Sequence, residues 1–293
     1  ILNDLSRSRA AALIGNQTGD LFGSDIALIY DFNDDGYFDI AVGAPGATVN
    51  GLPNVGIVYV FLGDGVNRAP ILPEIKYFKT GTDGFRILGP SENSRFGYQV
   101  GYAADVNGDR IADLFASAPY ASHGSKTECG IVYVMYGRTG VPHDIYLAVS
   151  TTGSFGMRII GGSSYDHLGI SATRVRGANT DIYSDILIGA PDASPFGRSL
   201  AGAAYIVYGN SSSFHNTDID VLLSNGSVLP YYGASAGDAL GYSVERLRDF
   251  NKDGRGDFSI GAKGYSSSRG AVYVIFTGEN MISGDMASYI ESQ

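Results

Sequence analysis

Tryptophan is absent from this chain of 293 residues, and Cys129 is its only cysteine. A single thiol excludes an internal disulfide and so a disulfide-dense secreted scaffold, although a domain of this length needs none outside the cell. Cys129 stands just before an apolar run and reads as a buried structural thiol. No apolar run approaches the roughly 18 residues of a membrane-spanning helix, so direct membrane insertion is not expected, and no targeting segment is readable. An excess of positive charge is also missing. The formal net charge of −10 argues against nucleic acid or an anionic membrane surface as partner. The sequence holds no phosphate-cradling glycine loop and no histidine pair at metal-ligand spacing. His123, His143, His167 and His215 fall at different phases of the chain and read as surface-loop residues. Catalysis has no support here, and the chain is not expected to be an enzyme.

What is abundant is glycine, at 41 residues, and tyrosine, at 20. Glycines without a collagen period imply many turns between short strands. The chain is internally repetitive. "DIAVGAP" (39–45) returns as "DLFASAP" (113–119), "DILIGAP" (185–191) and "DFSIGAK" (257–263). Upstream lie "LFGSDIALIYD" (21–31), "RFGYQVGYAAD" (95–105), "HLGISATRVRG" (167–177) and "ALGYSVERLRD" (239–249). Downstream come "GIVYVFLG" (56–63), "GIVYVMYG" (130–137), "GAAYIVYG" (202–209) and "GAVYVIFTG" (270–278). A fourth run, ending at Gly15, Gly89, Gly161 and Gly233, recurs every 74, 72 and 72 residues. Each unit therefore predicts four short strands. The "VYVF" type is continuously apolar and is expected to be buried on both faces.

Four-stranded units in series describe the blades of a β-propeller. The expected fold is all-β, a single propeller domain over 1–293, with repeats at about 16–89, 90–161, 162–233 and 234–293 plus 1–15. The last unit lacks its own fourth strand, and the N-terminal "AALIG" is expected to supply it and close a four-bladed ring. The alternative is a part of a larger, seven-bladed ring.

Between the first two strands of each unit lies an acidic loop. Positions 1, 3, 5 and 9 are Asp31, Asn33, Asp35 and Asp39 in the first, and Asp105, Asn107, Asp109 and Asp113 in the second. The fourth has Asp249, Asn251, Asp253 and Asp257. The third has Asn179, Asp181 and Asp185, with Gly177 where the first carboxylate belongs. Hard oxygen ligands at alternate positions of a tight loop suit Ca²⁺, and the backbone carbonyl at position 7 would add one more, from Tyr37, Ile111, Tyr183 or Arg255. An Asx-rich turn without metal is the plain reading of one such loop; four in register favour the metal. Four Ca²⁺ would bring the formal charge from −10 to −2. The loop at 177–185, with two carboxylates, is expected to bind more weakly than the other three.

The succession FG…D-x-N-x-D-G-x-x-D…GAP…VYV resembles the FG-GAP repeat of integrin α-subunit propellers. It stands here as Phe22-Gly23 with Gly43-Ala44-Pro45 and Phe96-Gly97 with Ser117-Ala118-Pro119, drifting to Leu168-Gly169 with Gly189-Ala190-Pro191 and Leu240-Gly241 with Gly261-Ala262-Lys263. The resemblance implies calcium ions bracing each first hairpin, away from the usual ligand side, and an adhesion or recognition role outside the cell or at its surface. A protein or glycan ligand is the implied partner. Integrin propellers have seven blades and this chain four units, which carry insertions such as 67–84, so only the metal positions transfer. Arg255-Gly256-Asp257 spells RGD, but Asp257 is committed to its loop. A lectin, or a non-catalytic accessory domain of an enzyme, are the competing functions. The sequons at Asn16, Asn210 and Asn225 fall in turns.

Overall fold

In the computed structural model, the described residues are 12–63, 74–149, 156–176, 178–179, 181–211, 216–278 and 283–290. Gly177, His215 and residues 67–73 of the 67–84 insertion lie outside them. Unit 1 supplies β1 (Ile26–Tyr30), β2 (Asp39–Ala44), β3 (Ile57–Phe61) and β4 (Gly84–Leu88). Unit 2 supplies β5 (Val100–Ala104), β6 (Asp113–Ala118), β7 (Ile131–Met135), the short β8 (Ile145–Tyr146) and β9 (Gly156–Ile160). In unit 3 come β10 (Ser171–Arg176), β11 (Ser184–Ala190), β12 (Ala203–Val207), β13 (Asn216–Asp218) and β14 (Val228–Tyr232). Unit 4 holds β15 (Leu240–Arg246), β16 (Phe258–Ala262), β17 (Ala271–Ile275) and β18 (Gly284–Asp285).

The expected strands form four antiparallel meanders, because apolar runs five to seven residues long are separated by glycine and Asx turns that reverse the chain. A fifth strand joins three of the sheets. β8 pairs parallel with β4, β13 with β9 and β18 with β14, so the segment after each third strand ties itself to the sheet before it. This strap escaped the sequence reading because two- or three-residue pairings leave no periodic signal.

The sheets stack in chain order. β1 packs on β5, β5 on β10 and β10 on β15. Unit 1 residues such as Val58, Val60 and Ile87 share a core with Leu114, Tyr133 and Met135 of unit 2. Val132, Val134 and Ile159 of unit 2 do the same with Ile186, Ile188 and Tyr205 of unit 3. Ala204, Ile206 and Tyr231 then meet Leu240, Phe258 and Ile260 of unit 4. The third strands β3, β7 and β12 are buried at every residue, as their composition predicts.

β17 is not. Val272 is 70% exposed, Val274 38% and the following Phe276 52%. Their equivalents are buried only because the next sheet covers them, and among the described residues nothing follows unit 4. Ile26 and Leu28 of β1, at the other end of the series, are likewise exposed. The expected closing strand does not form there either. The sheet of unit 4 is β15-β16-β17, and the run 12–15 forms no described strand. Instead the Ile14 carbonyl accepts the Ile75 N–H at 2.8 Å and Leu13 packs on the core that holds Val42 and Tyr59 of unit 1. That bond repeats the one from Leu147 to Leu88 in the next unit. The N-terminal run thus keeps its repeat phase but is anchored to unit 1.

Candidate calcium loops

Loops 1, 2 and 4 share one backbone path. Positions 4 and 6 adopt left-handed φ in each: Asp34 and Gly36, Gly108 and Arg110, Lys252 and Gly254. Two reversals within three residues turn the peptide N–H groups inward, toward the position-1 carboxylate. Asp31 accepts the N–H of Asp35 at 2.9 Å and of Gly36 at 2.8 Å. Asp105 accepts those of Gly108 and Arg110, and Asp249 those of Asp253 and Gly254. Position 3 then reaches position 5. The Asn33 amide donates to Asp35 at 2.8 Å, Asn107 to Asp109 at 2.9 Å and Asn251 to Asp253 at 2.8 Å. Position 5 accepts the N–H of position 7, from Tyr37, Ile111 and Arg255.

The position-9 carboxylates are held differently. Asp39, Asp113, Asp185 and Asp257 are fully buried at the heads of the second strands. In three of them one oxygen accepts the N–H of position 2: Phe32 to Asp39, Val106 to Asp113 and Phe250 to Asp257. In all four the other takes the N–H just past the third strand, from Gly63, Gly137, Gly209 and Thr277 respectively. These acids therefore staple the loop to the end of the third strand whatever else they bind. Sequence spacing alone assigned them only as ligands. Burial pushes the Asp39 carboxyl up to about 6, Asp185 to about 7 and Asp113 to about 8, despite backbone N–H donors that pull down. Asp35 and Asp31 add like-charge repulsion at Asp39.

Loop 3 departs from this. With no carboxylate at position 1, Asn179 still donates to Asp181 at 2.7 Å and Tyr183 N–H still reaches Asp181. Ile182 at position 6 is 87% exposed and is not among the left-handed residues.

Among the described residues no three Asp, Glu, His or Cys side chains form a ready-made metal cluster. The donor set of each loop includes an asparagine and a carbonyl. One atom tests the fit: Asn33 is 3% exposed and its Oδ1 has no hydrogen-bond partner. A buried carbonyl oxygen left unpaired costs about 1–3 kcal/mol, and a hard cation is the partner that a surrounding set of oxygens suits. Asp185 Oδ2 is similarly buried and unpartnered. The residues present therefore fit an oxygen-seeking divalent ion. Asp257 is fully buried and tied to the Phe250, Asn251 and Thr277 N–H groups, so the RGD triplet does not present its carboxylate at the surface.

The FG-GAP repeat family matches at residues 22–61 and 96–135, which spans the first three strands of units 1 and 2. The chain carries FG-GAP repeats. Among curated proteins, the phosphatidylinositol-glycan-specific phospholipase D of Dictyostelium discoideum is 26% identical over 92% of this chain, and the human protein of that name 30% identical over 67%. Mouse integrin alpha-3 is 28% identical over 64%. This chain spans about a quarter or less of each relative's length, 27%, 22% and 15% in the same order.

The FG-GAP glycines explain their own motif. Gly23 N–H bonds the Gly43 carbonyl within unit 1, and Gly169 N–H bonds that of Gly189 within unit 3. Across units, a Cβ on Gly43 would lie 2.1 Å from the Gly97 carbonyl oxygen, and one on Gly189 would lie 1.9 Å from that of Gly241. The glycine of each GAP is thus the floor on which the next FG sits. Unit 2 has Ser117 there, and its Cβ stands opposite Gly169.

One histidine is a loop residue but not a free surface one. His167 is partly buried, with Nδ1 2.7 Å from Asp192 and Nε2 3.1 Å from Glu128. The hydrogen bond to Asp192 chiefly raises its pKa, against desolvation.

Proposed function

We propose that the chain is a non-catalytic, calcium-stabilised binding module that works outside the cell or at its surface. Its four FG-GAP units would be blades of a β-propeller. Calcium would be held by Asp31, Asn33, Asp35, Tyr37 and Asp39, by Asp105, Asn107, Asp109, Ile111 and Asp113, and by Asp249, Asn251, Asp253, Arg255 and Asp257. Asn179, Asp181, Tyr183 and Asp185 would form a weaker fourth site. The buried, unpartnered Asn33 Oδ1 carries this reading, and the common backbone path of loops 1, 2 and 4 extends it. Affinities of order 10⁻⁴ to 10⁻³ M, those of extracellular calcium modules, are expected. A protein ligand would engage the loops at the opposite ends of the strands.

The long match to phosphatidylinositol-glycan-specific phospholipases D supports a second reading, in which this module is the accessory part of an enzyme whose catalytic residues lie elsewhere. The deciding experiment is a melting curve with and without EDTA, together with counting of bound calcium. A melting temperature indifferent to chelator, with no calcium retained, overturns the metal reading. Binding across a glycan array would shift the ligand class from protein to carbohydrate.

A further inference from the structure

The first strands carry a charge pattern that the acidic loops do not account for. β1, β5, β10 and β15 pack one on the next. One position recurs on all four, fixed by its pairing to Ile40, Leu114, Ile186 and Phe258 of the second strands. It is filled by Leu28, Tyr102, Arg174 and Arg246 in turn. Units 1 and 2 thus place an uncharged side chain there, and units 3 and 4 an arginine. Each arginine opens the same triplet, Arg174-Val175-Arg176 and Arg246-Leu247-Arg248. Four guanidinium groups are therefore concentrated in two neighbouring segments of a chain whose net charge is −10.

Along the stacked strands these residues form a column. The rings of Tyr30 and Tyr102 tilt together with centres 4.4 Å apart, and the Arg174 guanidinium lies 4.7 Å from the Tyr102 ring centre. Arg246 comes next. Burial lowers the Arg174 pKa first, the charge of Arg246 lowers it further, and Arg176, on the same face of β10, adds to the effect. Arg174 and Arg246 are both partly buried. Other arginines of this chain are matched by acids, Arg86 by Asp144 and Arg198 by Asp285. Among the described residues, the side chains of Arg174, Arg176 and Arg246 have no ion pair and no hydrogen bond. The acid of the repeat nearest to Arg176 is missing, since Gly177 stands where the other loops have Asp31, Asp105 and Asp249. Asp249 itself accepts the Asp253 and Gly254 N–H groups, and Glu245 accepts the backbone N–H of Arg246.

We propose that Arg174 and Arg246, with Arg176 at the edge, hold a small oxoanion, a sulfate or phosphate group, between the neighbouring first strands of units 3 and 4. Stacking on Tyr102 fixes the plane of the Arg174 guanidinium, so its fork of N–H donors is presented with little further loss of freedom. Two such forks suit the oxygens of a tetrahedral anion, and every bond they make to it is charge-assisted. The anion also offsets the mutual repulsion of the guanidinium groups, which no described carboxylate relieves. The site uses no metal and no loop carboxylate, so it stands independently of the calcium reading.

The test is an NMR titration of the folded chain, following the Nε–Hε signals of the arginine side chains. The probes are sodium sulfate, glucose 6-phosphate and glucose, with ionic strength held constant by sodium chloride. Saturable shifts of the Arg174 and Arg246 signals are expected with sulfate, with the phosphate ester or with both, and none with glucose. Arg174→Gln and Arg246→Gln should each weaken binding about tenfold, or 1.4 kcal/mol. Arg174→Lys keeps the charge but not the fork and should weaken it less. Arg269→Gln, at an exposed residue just before β17, should leave binding unchanged. Tighter binding of sulfate points to a free ion as the natural source; tighter binding of the ester points to an anionic group carried on a larger molecule. Shifts that never saturate or that chloride reproduces, an equal response to glucose, or undiminished binding in whichever glutamine variant stays folded overturns the proposal. A loss as large in Arg269→Gln overturns it too, because it would reduce the effect to net charge. The titration needs no bound calcium, so failure of the metal reading and failure of this one are separate results.

Discussion

Asp113 and Gly137 are joined by a 2.9 Å hydrogen bond across 24 residues, from the N–H that follows β7 to the carboxylate that begins β6. The other oxygen of Asp113 takes the Val106 N–H at 2.8 Å. The acid therefore fixes both the mouth of its loop and the end of the neighbouring strand.

Asp113→Asn puts an amide donor against one of two backbone donors in a fully buried site. The expected loss is about 2–3 kcal/mol, read as a lower midpoint in urea unfolding with an unchanged slope. A loss below 0.5 kcal/mol would show that the staple is dispensable.

The two kinds of FG-GAP glycine should fail differently. Gly189→Ala drives a Cβ to 1.9 Å from the Gly241 backbone oxygen, where neither unit can give way without moving the other. Loss of about 3 kcal/mol or more, or no folded protein, is expected. Gly36→Ala meets nothing within 4 Å and suffers only from its φ of 90°, which should cost about 1 kcal/mol. Thermal melts of the two variants, run in EDTA so that calcium does not enter, check the order.

Removing one position-1 carboxylate should remove one ion. Asp31→Ala, Asp105→Ala and Asp249→Ala each take away the acceptor of two loop N–H groups as well as a ligand. Each variant is expected to hold one calcium fewer by equilibrium dialysis and to melt several degrees lower at millimolar calcium. Asp181→Ala, in the loop that lacks the position-1 acid, should change the melting temperature least.

His167 gives a pH signature. Its pKa is raised above the ordinary 6.5 by the Asp192 hydrogen bond first and the Glu128 bond after desolvation. A raised folded pKa stabilises the protonated form. The contribution is therefore complete below pH 6.5 and is lost as pH rises through the folded value. Both carboxylates are partly exposed, so it should be only about 1 kcal/mol. Wild type minus His167→Gln, compared by urea unfolding between pH 5.5 and 8.5, should shrink toward high pH; a flat difference would exclude the ion pair.

Much of this protein can be read along the chain. The four units, their strand order and the positions of their acidic loops follow from periodicity, because each unit must bury the same faces and turn at the same glycines. The loops' donor pattern is equally local, since positions 1, 3 and 5 meet within a single turn. Other features depend on contacts between segments far apart. The staple from Asp39 to Gly63 needs β2 and β3 paired, and the straps β8, β13 and β18 need the preceding sheet already in place. His167 becomes an ion-pair hub only when Glu128 and Asp192 are brought to it from neighbouring turns. The starkest case is β17. Ala271–Ile275 has the same apolar composition as β3 and β7, yet Val272 and Val274 are exposed where Val58, Val60, Val132 and Val134 are buried. Sequence determined which residues can lie inside, through their hydrophobicity and alternation. Whether they do is decided by the next sheet, because burial is a property of two surfaces and a strand encodes only one.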